Sequence, residues 1–257
     1  MRVALVTGAA RGIGAATVAR LLADGYAVMA VDACAGADAA PYPMPTVADL
    51  EAVVAGREHG RARVADVRDR SAVAQVVDET LARWGRLDAV VAGAAVIAGG
   101  APLWETPDAD LDLLWQTDVR GVWNTAAVTV PAMLAGPSPS TARFVAVASA
   151  AGAHGLFHLA AYSTVKHAVV GLVRGLAADL VGTGVTAVAV SPGSTNTDML
   201  AQTAALYDVP VEDLAGHTKL RRVLEPDEIA ATIAFCCSPA AAALNGSVVQ
   251  ADGGFSG

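Results

Sequence analysis

Tyr162 and Lys166 stand four residues apart in the stretch "YSTVK", so on a helix both side chains leave the same face. A free phenol titrates near pH ~10, too high to act as a base around neutrality. An ammonium group beside it favours the phenolate, and a second positive charge would favour it further. Ser149 precedes Tyr162 by 13 residues and follows an apolar run, at what should be the carboxyl end of a strand. From there its hydroxyl could hold an alcohol or carbonyl oxygen beside the phenol. The chemistry these three residues offer is proton transfer at an oxygen.

A second group of residues suits a nucleotide. "TGAARGIG" follows the first apolar run at once and opens a helical stretch. Gly8, Gly12 and Gly14 give the spacing G-x-x-x-G-x-G. The first glycine permits a tight turn, the second lets backbone N–H groups reach a pyrophosphate, and the third lets helix pack on sheet. Asp32 ends the second apolar run, 18 residues after Gly14. There a carboxylate can accept from adenosine ribose hydroxyls and would repel the 2′-phosphate of NADP. Arg11 could attract that phosphate, so NAD is the expected cofactor and NADP the alternative. Asp66, in "ADV", is expected at the end of the third strand, within reach of an adenine amino group. An oxidised nicotinamide would supply the second positive charge beside Tyr162.

The elements that must position these residues alternate. Apolar runs at 3–7, 27–31, 62–67, 88–93, 143–149, 185–190 and 246–251 read as strands separated by helical stretches. They are continuous rather than alternating, as parallel strands covered on both faces should be. Between them, Gly25 is placed to stop one helix, and Asp69 or Ser71 to cap another that ends at Gly85. The pattern predicts an α/β fold: one Rossmann domain over 1–257, with a doubly wound, seven-stranded parallel sheet and helices on both faces. Two segments break the rhythm. One is an insertion at about 33–47, containing Pro41, Pro43 and Pro45. The other, at about 194–225, follows a strand's carboxyl end, where ligand-covering loops sit.

Composition narrows the partners. The chain is 54% hydrophobic and 16% charged, with a formal charge of −8, which argues against nucleic acid or an anionic membrane. No run reaches the ~18 apolar residues of a membrane span. "VALVT" near the amino terminus reads as a strand rather than a leader. Cys34, Cys236 and Cys237 make no disulfide framework and read as packed thiols of a soluble, cytoplasmic protein. No His/Cys/Asp/Glu spacing points to a metal.

In combination, "TGAARGIG", "ADV", the serine of "AVASAAG", "YSTVK", "SPGSTNTDM" and the terminal "QADGG" resemble the short-chain dehydrogenase/reductase family over nearly the whole chain. The resemblance implies reversible hydride transfer between an alcohol and NAD. By it, Tyr162 is the general acid/base and Ser149 orients the substrate oxygen. Lys166 lowers the tyrosine pKa and binds the nicotinamide ribose. Pro192, Gly193, Thr195 and Thr197 flank the nicotinamide, while Ile13, Val67, Ala92 and Ala94 join the cofactor contacts. It also implies a homotetramer, or a homodimer, built on two long apolar helices. Two departures stand out. "AGAA" at 92–95 replaces the family's "NNAG", and Asp118 in "TDVRG" replaces an asparagine whose carbonyl holds a water in a proton relay. A carboxylate there should partly offset the effect of Lys166 on Tyr162.

For substrate, Ser149, Ala151, His154, His158 and Tyr162 are the expected contacts. Trp104, Leu156, Phe157 and the stretch from Met199 to Leu220 complete a mostly apolar cleft suited to a hydrophobic secondary alcohol or ketone. The insertion, with "PYP" followed by "T..DLE", resembles the mycofactocin-associated subgroup, which implies tightly held NAD reoxidised by mycofactocin. It is expected to cover the adenosine half of the cofactor and to take no part in the chemistry of Ser149, Tyr162 and Lys166. An ordinary exchanging reductase of a sterol, terpenoid or acyl ketone is the alternative reading. A non-catalytic redox sensor is the third.

Overall fold

The computed structural model describes residues 1–36 and 40–255. The strands are β1 (Val3–Thr7), β2 (Ala27–Asp32), β3 (Gly60–Val64), β4 (Ala89–Ala92), β5 (Arg143–Val147), β6 (Thr186–Pro192) and β7 (Val248–Ala251). They form one parallel sheet in the order β3-β2-β1-β4-β5-β6-β7, as expected. The chain's direction of travel reverses between β1 and β4, and a crevice opens there beyond Thr7 and Ala92, which are paired in register.

Both sheet faces are buried, which is why the strands read as continuous apolar runs. Within β1, Ala4 and Val6 face one way and Leu5 the other. The first face is covered by α1 (Gly12–Ala23) and α8 (Pro226–Cys237), through Val18, Leu21, Ile229 and Ile233. α3 (Arg70–Trp84), α5 (Gly121–Ala135) and α6 (Ala160–Asp179) cover the second, through Val76, Val122, Met133, Val169 and Val173. The local stops act where expected. Gly25 (φ +82°) follows α1, Asp69 caps α3 by accepting from the N–H groups of Ser71 and Ala72, and Gly85 (φ +70°) ends it.

Strand ends differ from the apolar runs for a common reason, the length of the partner strand. β3 is an edge strand paired only with β2, and its last partner is Asp32, so it stops at Val64 rather than reaching Asp66. β6 extends to Pro192 because β7 pairs with it that far. The 194–225 segment is not bare loop. It holds α7 (Asp198–Tyr207), capped by the Thr197 hydroxyl, and a 3₁₀ turn at Val211–His217. After β2 the described residues 33–36 and 40–46 form no helix or strand, and the part of the expected insertion at 37–39 lies outside the described residues. α2 (Val47–Val54) follows, where Thr46 and Asp49 close a capping box.

One helix carries an irregularity that matters for the site. Between α4 (Asp108–Leu114) and α5, residues Trp115–Arg120 widen into a π-helical turn with Asp118 on it. Such turns release backbone groups from the regular ladder and recur at functional sites. Among the described residues no helix is long and apolar enough to cross a membrane. The three cysteines are free thiols, and burial raises Cys237 to about 12.

Candidate active site

The glycine turn after β1 has no room for side chains. Gly8 (φ +70°) and Gly12 (φ +53°) need the left-handed region, and a Cβ on Gly14 would lie 1.9 Å from the Gly8 carbonyl oxygen. Two side chains brace this turn. Asp32 accepts from the Ala10 N–H (3.1 Å) and from the Cys34 N–H (3.1 Å). Thr7 Oγ1 accepts from Gly93 N–H (3.1 Å) and Ala94 N–H (3.3 Å), which holds the "AGAA" backbone where asparagine side chains are absent.

A cavity of about 940 Å³ runs from this turn across the carboxyl ends of the strands. Gly8, Arg11, Gly12, Ile13, Gly14 and Asp32 border one end, with Ser149, Tyr162 and Lys166 further along. Pro192, Gly193, Thr195 and Thr197 form the wall between β6 and α7. A smaller cavity of about 70 Å³ adjoins it on the β2–β3 side, bordered by Asp32, Asp66, Val67 and Ala94. Asp66 is held by Arg68 (2.6 Å); burial opposes its charge, yet the Arg68 bonds keep it below the usual carboxylate range. Ala92 does not belong to either wall, because it is buried as the last residue of β4.

At the reacting end, Ser149 lies two residues past β5 and starts a 3₁₀ turn, its hydroxyl accepting from Ala151 N–H. Tyr162 and Lys166 occupy the first turns of α6, with Nζ 5.4 Å from the phenol ring centre. Lys166 Nζ forms an ion pair with Asp118 Oδ2 at 3.0 Å, and Asp118 Oδ1 accepts from Val96 N–H (3.0 Å). Both charged groups are buried, at 2% and 0% exposure.

This pair sets the local titration. Burial is the largest single effect and disfavours the Lys166 ammonium, but Asp118, together with Tyr162 and Tyr42, holds Lys166 above its ordinary value. Burial likewise pushes Asp118 up, against the pull of Lys166. For Tyr162, burial raises the pKa, Lys166 lowers it, Asp118 raises it and Ser149 lowers it; the balance lies above the ordinary phenol. Lys166 does lower Tyr162, as expected, but burial is the larger effect and Asp118 offsets part of the lysine's field. Asp118 also lies behind Lys166 rather than on the cavity wall, which makes it a positioning residue.

The insertion reaches further than its sequence implied. Ala40 and Met44 border the smaller cavity, but Tyr42 turns into the larger one and packs with Ile97, Leu159, Tyr162 and Val165. The segment expected over the adenosine half thus also borders the cavity that Tyr162 lines. Arg11 ties it down: its guanidinium lies 5.3 Å from the Tyr42 ring centre, donates to Pro43 O (2.8 Å), and pairs with Asp198 on α7 (2.9 Å). "PYP" was the available signal, a large aromatic fixed between two prolines, yet nothing in the spacing gave its direction.

The substrate side needs further corrections. His158, Leu156 and Phe157 border the cavity, but Ala151 is fully buried in the core because the turn after Ser149 points it inward. His154 lies off the wall, its ring 5.6 Å from that of Phe255. Trp104 is 81% exposed and away from the cavity. Contacts the sequence missed include Ile97 and Leu159. Tyr207, inside the expected 199–220 stretch, donates to Phe157 O (2.6 Å) and so ties α7 to the segment after Ser149.

Comparison with known proteins agrees with this geometry. A family model described as Enoyl-(Acyl carrier protein) reductase matches residues 8–256. An uncharacterized NAD-dependent oxidoreductase of Mycobacterium tuberculosis is 33% identical, the match covering 98% of this chain and 95% of that one. Cis-4-hydroxycyclohexanecarboxylate dehydrogenase of Sinomonas cyclohexanicum is 36% identical, over 99% and 96%. The crystal structure of carveol dehydrogenase from Mycobacterium avium in complex with NAD superposes with a TM-score of 0.91 at 27% identity, over 98% of this chain and 96% of that one.

Proposed function

Because the chain belongs to the short-chain dehydrogenase/reductase family and is an NAD-dependent oxidoreductase acting on CH–OH groups, we propose that it interconverts a hydrophobic secondary alcohol and its ketone. The observation that carries this reading is one continuous cavity bordered by the glycine turn, Asp32, Ser149, Tyr162 and Lys166. The residues fit a dinucleotide. The turn around Gly8, Gly12 and Gly14 borders the cavity and opens α1, whose first N–H groups could meet a pyrophosphate. Asp32 retains acceptor capacity for the adenosine ribose, and Asp66 and Val67 border a recess for the adenine.

When bound, NAD supplies the ring carbon that takes or gives hydride and, oxidised, a positive charge beside Tyr162. In the oxidising direction Ser149 holds the substrate oxygen and Tyr162, as phenolate, takes the hydroxyl proton. The carbinol C–H leaves with its electron pair as hydride, and the C=O double bond forms. In reverse, neutral Tyr162 returns the proton, a protonation state that its burial favours. Lys166 keeps its charge through Asp118 and draws Tyr162 toward the phenolate. Pro192, Gly193, Thr195 and Thr197 border the cavity where they would meet the nicotinamide carboxamide. Ile97, Leu156, Leu159, Met199 and Leu206 make the substrate wall apolar, in keeping with the cyclic alcohols named for the relatives.

The finer part of the proposal concerns exchange. Arg11 clasps the insertion to α7 across the mouth of the cavity, which supports NAD held through many turnovers and reoxidised in place by mycofactocin. Exposed Trp115 and Trp123, at the π-helical turn and on α5, support a homodimer or homotetramer. A cytoplasmic setting accompanies this reading. Mass spectrometry of nucleotide released by denaturing dialysed protein tests it. Stoichiometric NAD(H) is the expected result. An empty protein that binds added NAD would favour the exchanging reductase, and NADP would overturn the nucleotide assignment.

A further inference from the structure

Tyr42 is 6% exposed and its phenolic oxygen is buried; the Ile97 backbone N–H is directed toward that oxygen, but among the described residues the phenolic O–H meets no acceptor. Buried hydroxyls are ordinarily paired, so an O–H left without an acceptor on a cavity wall points to a partner that arrives with the ligand. Its position says which part of the ligand. The Tyr42 ring packs against Tyr162 and Val165 of α6, and its hydroxyl lies in the field of Asp118 and Tyr162. Ala40 borders the smaller cavity next to Asp66, and Met44 borders both cavities. The insertion therefore reaches both parts of the dinucleotide path, with Ala40 on the adenosine side and Tyr42 on the reacting side.

We propose that the Tyr42 hydroxyl donates a hydrogen bond to the ribose that carries the nicotinamide, making the insertion part of the reacting end of the cofactor site. The proposal rests on the reading that the larger cavity takes NAD. Tyr42 would then be a binding residue brought by a segment outside the regular strand–helix frame. Arg11, stacked on its ring, fixes the ring plane, while Pro41 and Pro43 on either side limit the backbone.

Three ligands separate the halves of the cofactor: ADP lacks the second ribose, ADP-ribose has it, and NADH adds the nicotinamide. Titration calorimetry on nucleotide-freed protein should show that Tyr42→Phe weakens ADP-ribose and NADH about three- to tenfold and leaves ADP unchanged. Met44→Ala should weaken all three alike, because Met44 borders both cavities. Equal affinities of Tyr42→Phe and wild type for all three ligands would overturn the proposal, reducing Tyr42 to packing. Weakening that includes ADP would overturn it too, in favour of an adenosine lid. A wild-type protein that binds none of the three would overturn the cofactor reading and the proposal with it.

Discussion

Tyr162→Phe is expected to bind NADH like the wild type and to lose about 10²–10⁴-fold in turnover of a secondary alcohol. The aromatic ring keeps its place among Ile97, Leu159 and Val165, so the wall survives. What disappears is the proton carrier: Met199 Sδ, 3.8 Å from the hydroxyl, cannot replace it, and Ser149 is already engaged as an acceptor of Ala151 N–H. Steady-state rates alongside NADH binding check this. Undiminished turnover in the variant would remove Tyr162 from the chemistry. A wild type with no turnover on any alcohol would return the sensor reading.

Asp118→Ala should cost about 3–5 kcal/mol of stability, because it leaves the Lys166 ammonium buried and uncompensated. It also orphans the Val96 N–H. A thermal melt should register a fall of roughly 10 °C for a chain of this size. Asp118→Asn is milder, since an amide oxygen still accepts from Val96, and it isolates the charge. Removing the carboxylate lowers the pKa of both Tyr162 and Lys166, because Asp118 raises each of them. Alcohol oxidation, which needs the phenolate, should then switch on at lower pH, and ketone reduction should switch off at lower pH. The stability difference has a sign as well. A lysine raised in the folded state contributes stability that is complete below its unfolded pKa of ~10.4 and fades as pH rises through the folded value. The wild-type advantage over Asp118→Asn should therefore narrow only in strong alkali. An identical pH–rate profile in the Asn variant would contradict the coupling.

The sheet was legible because both of its faces are buried, which leaves apolar runs that no loop interrupts. The glycine turn was legible because Gly14 tolerates no Cβ, and the catalytic pair because four residues make a helical turn. The charge at Asp118 announced itself by type, and its partner followed from the same expectation. Other features depend on tertiary geometry. Whether Ala151 and His154 face the cavity is decided by a 3₁₀ turn after Ser149 that the sequence does not mark. Tyr42 belongs to a segment of no periodicity, whose course is set by Arg11 far along the groove. The end of β3 is set by its neighbour's length rather than by its own residues.

The account's central claim is hydride transfer from a hydrophobic secondary alcohol to NAD in the cavity that holds Ser149, Tyr162 and Lys166. The most direct measurement mixes NAD-loaded protein with cyclic secondary alcohols and follows the absorbance of reduced nicotinamide through a single turnover. The predicted result is reduced cofactor in proportion to active sites for the wild type and none on that timescale for Tyr162→Phe. NAD-loaded wild type that gives no reduced nicotinamide with any such alcohol, and gives no oxidation of bound NADH with the matching ketones, would contradict it.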